Sequence, residues 1–284
     1  MNKLGLLVCT NSAIDYIKHD FEVGVVRSTI LMGGKEYIDY EELTADKFYE
    51  MLETNPKLFP RTAMASTGKM LEFYENLKAD GCDTIIFITI SAKLSGTYEN
   101  ALLAAKMIED VDVRVFDSKS VGYVECKMVF KAWEGYKAGK TIEEIMGDLE
   151  FIRDNNKIYF AVRDLRFLIK NGRLSNAAGV VANMLKIKPL LEINKEGKVV
   201  SIEKIRTFGK AVDRVIEKYL DETKDLDVET FIIHANNPEK VKYMRNKVTE
   251  ARPNVGVIND YLLTPAVGAH GGPGAITIGY IINR

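Results

Sequence analysis

The sequence predicts an α/β protein in two parts: a mostly parallel-sheet N-terminal domain over residues 1–156 and an α+β C-terminal domain over 157–284. Three observations predict it. In the first half, apolar runs are followed by polar loops and amphipathic helices, the pattern of a right-handed, mostly parallel sheet. Past Asn155 the pattern changes to an antiparallel hairpin with further helices, signalled by Lys195-Glu196-Gly197 between two apolar runs. At 284 residues the chain also exceeds the usual size of one core.

In chain order, Lys3–Cys9 is an apolar strand ending in the polar tip Thr10-Asn11-Ser12. Phe21–Leu31 reads as one strand that turns at Gly33-Gly34 into Tyr37-Ile38-Asp39. Thr44 caps a helix over 45–54. Pro60–Gly68 reads as a polar loop, with Ser66 or Thr67 capping a helix over 69–79. Thr84–Ile90 is almost uniformly apolar, as a parallel strand buried on both faces should be. A loop, Ser91–Thr97, and a helix over 98–109 follow. Val113–Phe116 is the next strand, then the loop Asp117–Gly122 and a helix through Met128 and Trp133. Thr141 caps the helix 142–155.

Beyond the boundary, 157–162 is a strand and 164–170 a short helix stopped by Asn171-Gly172, either of which tolerates the left-handed conformation. Ser175 caps a helix over 176–186. Strands are expected at 188–194 and 198–206, a long amphipathic helix at 208–223, a strand at 229–234 and a helix at 238–251. Two last strands, 255–263 and 275–282, flank a loop with four glycines (Gly268, Gly271, Gly272, Gly274) around His270. Glycine lets such a backbone curl tightly, and a histidine there can donate or accept a proton.

Composition excludes several function classes. Hydrophobic content of 46%, charged content of 28% and a net charge of −1 describe a globular chain without the basic excess of a nucleic-acid surface. No run reaches the roughly 20 apolar residues of a membrane span, and the N-terminus carries no export signal pattern. The chain is therefore expected to be cytoplasmic. Cys9, Cys82 and Cys126 are too scattered for a disulfide framework, and three dispersed histidines indicate no metal centre. No phosphate-binding glycine motif, zinc helix motif or Gly-x-Ser-x-Gly elbow is present.

The remaining chemistry lies in hydroxyl-rich loops at strand ends: Thr62 and Ser66; Ser91, Ser95 and Thr97; Ser118 and Ser120. Ligands of open α/β sheets bind outside those ends. Ser95-Gly96-Thr97 also opens a helix, where free N–H groups favour an anion such as a carboxylate or phosphate. Taken singly, each hydroxyl is more simply a helix cap, and Arg173 and Arg206 are more simply solvated.

Six stretches in order resemble the DegV family of bacterial fatty-acid-binding proteins over essentially the whole chain. They are Thr10-Asn11-Ser12, the Thr62–Ser66 loop, Ile90 to Tyr98 with Leu94-Ser95-Gly96-Thr97-Tyr98, Val115-Phe116-Asp117-Ser118, Asp164 to Ser175, and His270-Gly271-Gly272-Pro273-Gly274. The resemblance implies a carrier with no reaction and no cofactor of its own. One long-chain fatty acid lies between and within the domains, its carboxylate held by Thr62, Ser95 and His270. It further implies that the acid is presented to an ATP-dependent fatty acid kinase, whose acyl phosphate enters phospholipid synthesis by glycerol-phosphate acyltransfer. Arg173 and Arg206 match positions that could hold that phosphate or contact the kinase, with Ser66, Gly96, Thr97 and Gly271 nearby.

Three places depart from the family pattern: Asn11 stands for an aspartate, Ala63 and Ala65 interrupt Thr-Ser-x-Pro-Ser, and Lys-Gly-Gly-Arg reads Lys170-Asn171-Gly172-Arg173. The apolar helix 179–185 is a candidate wall for the lipid tail. A competing reading from the residues alone is a serine hydrolase or acyltransferase, with Ser95 as nucleophile and His270 as base.

Overall fold

The computed structural model describes residues 3–174 and 187–284. The expected helix over 176–186, including the candidate tail wall, lies outside the described residues. Strand β1 (Leu4–Cys9) is buried at every position and runs into a 3-10 turn over Thr10–Ser12. The expected single strand over 21–31 is in fact two, β2 (Gly24–Val26) and β3 (Thr29–Met32), in different sheets. The chain changes sheet at Arg27-Ser28. There the Arg27 guanidinium binds Asp15 and Glu41, each at 2.8 Å, and the Ser28 carbonyl accepts from the Asp39 N–H. Strand β4 (Lys35–Ile38) completes the hairpin, and α1 (Ala45–Thr54) follows it.

The expected loop over 60–68 contains β5 (Arg61–Ala63), which pairs with β3 so that Ile30 faces Thr62. Only tertiary pairing makes this three-residue strand. Helix α2 (Thr67–Ala79) is capped by the Ser66 hydroxyl, which accepts from the Lys69 N–H at 3.2 Å. Then come β6 (Thr84–Thr89), α3 (Thr97–Ala105), β7 (Asp112–Asp117), α4 (Tyr123–Lys137) and α5 (Ile142–Asp154). The order β2-β1-β6-β7 is parallel throughout. Alternating residues explain the uniformly apolar strands. Leu6, Val8, Ile86 and Ile88 pack with α4, while Leu7, Cys9, Ile85 and Phe87 pack with Met70, Tyr74, Ala101 and Ala104 of α2 and α3.

From Asn156 onward the chain builds a second sheet: β8 (Asn156–Ala161), helix α6 (Arg166–Lys170), β9 (Leu190–Ile193), β10 (Val199–Glu203), α7 (Phe208–Thr223), β11 (Val228–His234), α8 (Pro238–Ala251), β12 (Asn259–Leu262), α9 (Pro265–Gly271) and β13 (Ile276–Ile282). Its order is β10-β9-β8-β13-β11-β12, antiparallel except for the β11–β12 pair. One face, with Tyr159, Ile232, Ile276 and Ile278, packs under α7 and α8. The other, with Ile158, Ile193, Val199, Phe231 and Ile233, joins the core of the first half. The glycine-rich segment expected as a loop is therefore partly helical in α9.

The β9–β10 hairpin tip docks against the first sheet. Gly197 has φ +80°, and its carbonyl accepts from the buried Ser91 hydroxyl at 2.8 Å. A Cβ there would stand 2.1 Å from Ser91 Oγ and 3.1 Å from Lys119 Cα. Gly197→Ala is therefore expected to lower unfolding free energy by roughly 1–3 kcal/mol through left-handed strain and overpacking. Urea denaturation checks this; an unchanged midpoint would mean that the tip is not held as described.

Candidate functional site

Between the two sheets lies a cavity of about 470 Å³, within the roughly 300–1,000 Å³ usual for small-molecule sites. Its floor is the inner face of the six-stranded sheet. Side chains point to alternate faces of a strand, so directly paired residues form rows across the sheet. One lining row is Phe160–Thr277–Ile233, across β8, β13 and β11; another is Ile158–Ile193–Val199, across β8, β9 and β10. Leu94, Val121, Leu168, Leu263 and Val267 add to the apolar lining. Against it open the polar groups of Asn11, Ser28, Thr62, Ser95, Arg173 and His270.

Helix α9 carries His270 and is fixed from outside itself. Its N-cap residue Thr264 makes no side-chain cap, and its buried hydroxyl has no partner among the described residues. The N–H of Ala266 donates instead to Asp39 Oδ2 at 3.1 Å, and the Thr10 hydroxyl donates to the same oxygen at 2.9 Å. Asp39 is fully buried and its Oδ1 is unpartnered among the described residues. Burial outweighs those two hydrogen bonds and raises its pKa to about 7. Tyr49 supports the same helix. Its hydroxyl donates to the Leu263 carbonyl at 2.8 Å, and a Cβ on Gly268 would stand 2.3 Å from that hydroxyl. Gly268 thus serves helix packing, while Gly271 lines the cavity.

His270 Nε2 and Thr62 Oγ1 are 2.9 Å apart, linking α9 to β5 across 208 positions of sequence. Nδ1 of the same ring is buried without a partner among the described residues. Desolvation, with the nearby Arg173 charge, lowers the ring's pKa to about 4, so it is neutral at pH 7. Ser95 lies on the loop between β6 and α3. Its oxygen is 2.8 Å from the Thr97 hydroxyl and accepts from the Thr97 N–H at 3.3 Å. Arg173 follows a helix stop in which Gly172, at φ +68°, closes a Schellman turn: Arg173 N–H bonds the Leu168 carbonyl and Gly172 N–H that of Ile169. This assigns the left-handed position to Gly172; Asn171 has φ −88°. The Arg173 guanidinium donates to the Leu94 carbonyl at 3.0 Å and lines the cavity.

Thr62, Ser95, Gly96, Arg173, His270 and Gly271 are thus brought to one cavity. Three other expected residues are not in its lining. Ser66 caps α2, Thr97 is buried behind Ser95, and Arg206 is exposed. The hydroxyls of Ser91, Ser118 and Ser120 hold the two halves of the molecule and their own loops together. Ser91 donates to Gly197, Ser118 to the Ser120 carbonyl and Ser120 to Asn156 Oδ1. Asp39 and Tyr49, which hold α9, and Thr277, which lines the cavity, have no signature in the sequence. A buried acid after a hairpin, an aromatic in an amphipathic helix and a threonine in a strand carry no local signal of a site.

The hydrolase pairing is not assembled. His270 Nε2 engages Thr62 rather than Ser95, and among the described residues no carboxylate orients Nδ1. Nor, among those residues, do three His, Cys, Asp or Glu side chains converge to hold a metal ion, and no helix is long and apolar enough to cross a membrane.

Residues 6–283 match the model of the family described as "Uncharacterised protein, DegV family". A DegV domain-containing protein of Listeria innocua is 32% identical over 269 residues, 94% of each chain. Among solved structures, a fatty acid binding DegV family protein of Streptococcus agalactiae superposes with a TM-score of 0.91 at 27% identity, covering 100% of both chains. DegV of Bacillus subtilis, described as a fatty acid binding protein, gives 0.87 at 27% identity, again over 100% of both.

Two titrations follow from the electrostatics. The folded pKa of His270 lies below the roughly 6.5 of an unfolded histidine, so its stability contribution is present above that pH and lost as pH falls towards 4. An NMR titration of the ring should find a midpoint near 4; one at 6.5 would overturn its buried neutral state. Asp39 runs the other way. Its folded pKa lies above the roughly 3.9 of an unfolded aspartate, so the contribution is present below that pH and lost as pH rises through about 7. Asp39→Asn should remove this loss, so that wild type weakens relative to the variant between pH 4 and 8 in denaturant melts. Parallel curves would contradict the assignment.

Proposed function

The chain belongs to the DegV family, and on that footing we propose that it is a non-catalytic carrier for one long-chain fatty acid. A single observation carries this reading: a predominantly apolar cavity into which Thr62, Ser95 and His270 all open, although they come from three distant segments. The two rows, apolar but for Thr277, suit an alkyl tail. At roughly 0.8 kcal/mol per buried CH₂, a tail of about fifteen carbons supplies on the order of 12 kcal/mol before ordering costs.

The head group is the part that needs chemistry. Thr62, Ser95 and His270 are proposed to hold the carboxylate. A neutral His270 protonated on Nε2 donates to Thr62 Oγ1, leaving the threonine proton for the ligand oxygen, and Ser95 supplies a second hydroxyl. The guanidinium of Arg173, also in the lining, favours an anion. Gly96 and Gly271 bring the backbone to the same space, with Ser66 and Thr97 close by in sequence. Two domains, 1–156 and 157–284, are proposed to enclose the acid.

The family relation further suggests the carrier's use. A separate ATP-dependent fatty acid kinase would phosphorylate the presented carboxylate, giving acyl phosphate and ADP, and the acyl phosphate would serve phospholipid synthesis. Exposed Arg206 suits a contact with that partner. The hydrolase reading lacks comparable support, because Ser95 and His270 are each engaged elsewhere.

Denaturation and organic extraction of the purified protein, followed by mass spectrometry, should release about one fatty acid per chain. Protein that is empty and stays empty when offered fatty acids would sink the proposal. Ser95→Ala should weaken binding by about 1.5–3 kcal/mol, roughly ten- to 150-fold, through loss of a charge-assisted hydrogen bond. Titration with palmitate reads the change, and equal affinity would remove Ser95 from the site.

A further inference from the structure

The three residues proposed to hold the carboxylate lie on β5, on the loop after β6 and on α9, and one turn of chain touches the backbone beside each. The Asn171 side-chain amide donates to the Ala269 carbonyl, adjoining His270, at 2.9 Å and to the Pro60 carbonyl, two residues before Thr62, at 3.4 Å. The Arg173 guanidinium donates to the Leu94 carbonyl, adjoining Ser95, at 3.0 Å and to the Asn171 carbonyl at 2.6 Å. The turn is locked by the Schellman bonds around Gly172.

We propose that Asn171 is a positioning residue, setting the His270–Thr62 pair through the backbone on which each residue sits. This deepens the carrier reading above and rests on it for its consequence, tighter ligand retention. The simpler alternative is an ordinary helix-ending asparagine. Such a residue takes the left-handed conformation or bonds its own helix. Asn171 has φ −88°, and while its backbone N–H bonds the Phe167 carbonyl of its own helix, its side-chain amide reaches segments 98 and 111 positions away.

The chemistry selects a carboxamide. The Pro60 and Ala269 carbonyls both accept from this side chain, and one primary amide carries two N–H bonds. Aspartate has the same shape but faces both carbonyls with acceptors; glycine leaves them unpaired. Either change removes the amide bridge between the C-terminal turn of α9 and the chain entering β5, and loosens the seat of His270. His270, which is neutral because it is held in a buried seat, then becomes more hydrated.

The test compares wild type with Asn171→Asp and Asn171→Gly, using His270→Ala and Ser95→Ala as controls. Retention of radiolabelled palmitate and the NMR titration of the His270 ring are both measured. The expected result for each Asn171 variant is release about tenfold faster, a loss of the order of one intramolecular hydrogen bond. In Asn171→Gly, which adds no charge of its own, the His270 midpoint should rise from about 4 towards 6.5; in Asn171→Asp the new carboxylate raises it as well, so the glycine variant decides the ring readout. A generally weakened fold would not by itself move that midpoint in the native protein. Wild-type values for both readouts in both variants would overturn the proposal. If His270→Ala and Ser95→Ala retain palmitate as wild type does, the carboxylate clasp falls. The ring titration still decides whether Asn171 positions His270.

Discussion

A buried carboxylate substitutes for the missing cap of a seven-residue helix, and much of the site hangs on it. Asp39 accepts from the backbone of Ala266 and from the hydroxyl of Thr10, joining the end of β1, the end of β4 and the start of α9 at one oxygen. A helix this short has little stability of its own, because nucleation is costly and few hydrogen bonds follow. Its direction is therefore set by what grips it: Asp39 at the first turn, Tyr49 beneath Gly268, and the amide of Asn171 near its end. His270 inherits its place from those contacts. The cost is a carboxyl group fully buried from solvent, whose second oxygen has no partner among the described residues.

The cavity arises because two sheets with different demands meet there. The parallel sheet buries both of its own faces under helices and contributes loops to the site. The six-stranded sheet has only one face covered by α7 and α8, and its other face supplies the apolar floor. Between them a shared apolar core, with Tyr123 packed on Phe231 and Tyr261, is joined by polar contacts at the loop ends, where Ser91 and Ser120 bond Gly197 and Asn156. Hydroxyls that could have faced a ligand are thus consumed in docking, and Thr62 and Ser95 are left to line the space.

The order of the main elements was legible because period and capping are local properties. Uniformly apolar β1 and β6, the amphipathic α7, and the Ser66 and Thr141 caps depend on residues only a few positions apart. Family likeness extended that to an expected ligand class, since its motifs keep their order. The failures share a cause. Strand β5 exists only by pairing with β3. The split of β2 from β3 depends on ion pairs from Arg27. Helix α9 was hidden by a proline that fits its first turn and by a glycine demanded by Tyr49.

By itself, then, the sequence determined the two kinds of sheet, the positions of most helices, and the presence of hydroxyls, an arginine and a histidine fit for an anion. Tertiary structure alone decided which of them share a cavity. It selected Thr62, Ser95, Arg173 and His270, set Ser66 and Arg206 outside the lining, and brought in Asp39 and Asn171 as supports. The physical reason is range. Backbone propensity and hydrophobic period act over a few residues, whereas burial and hydrogen-bond satisfaction at His270 depend on groups about one to two hundred positions away.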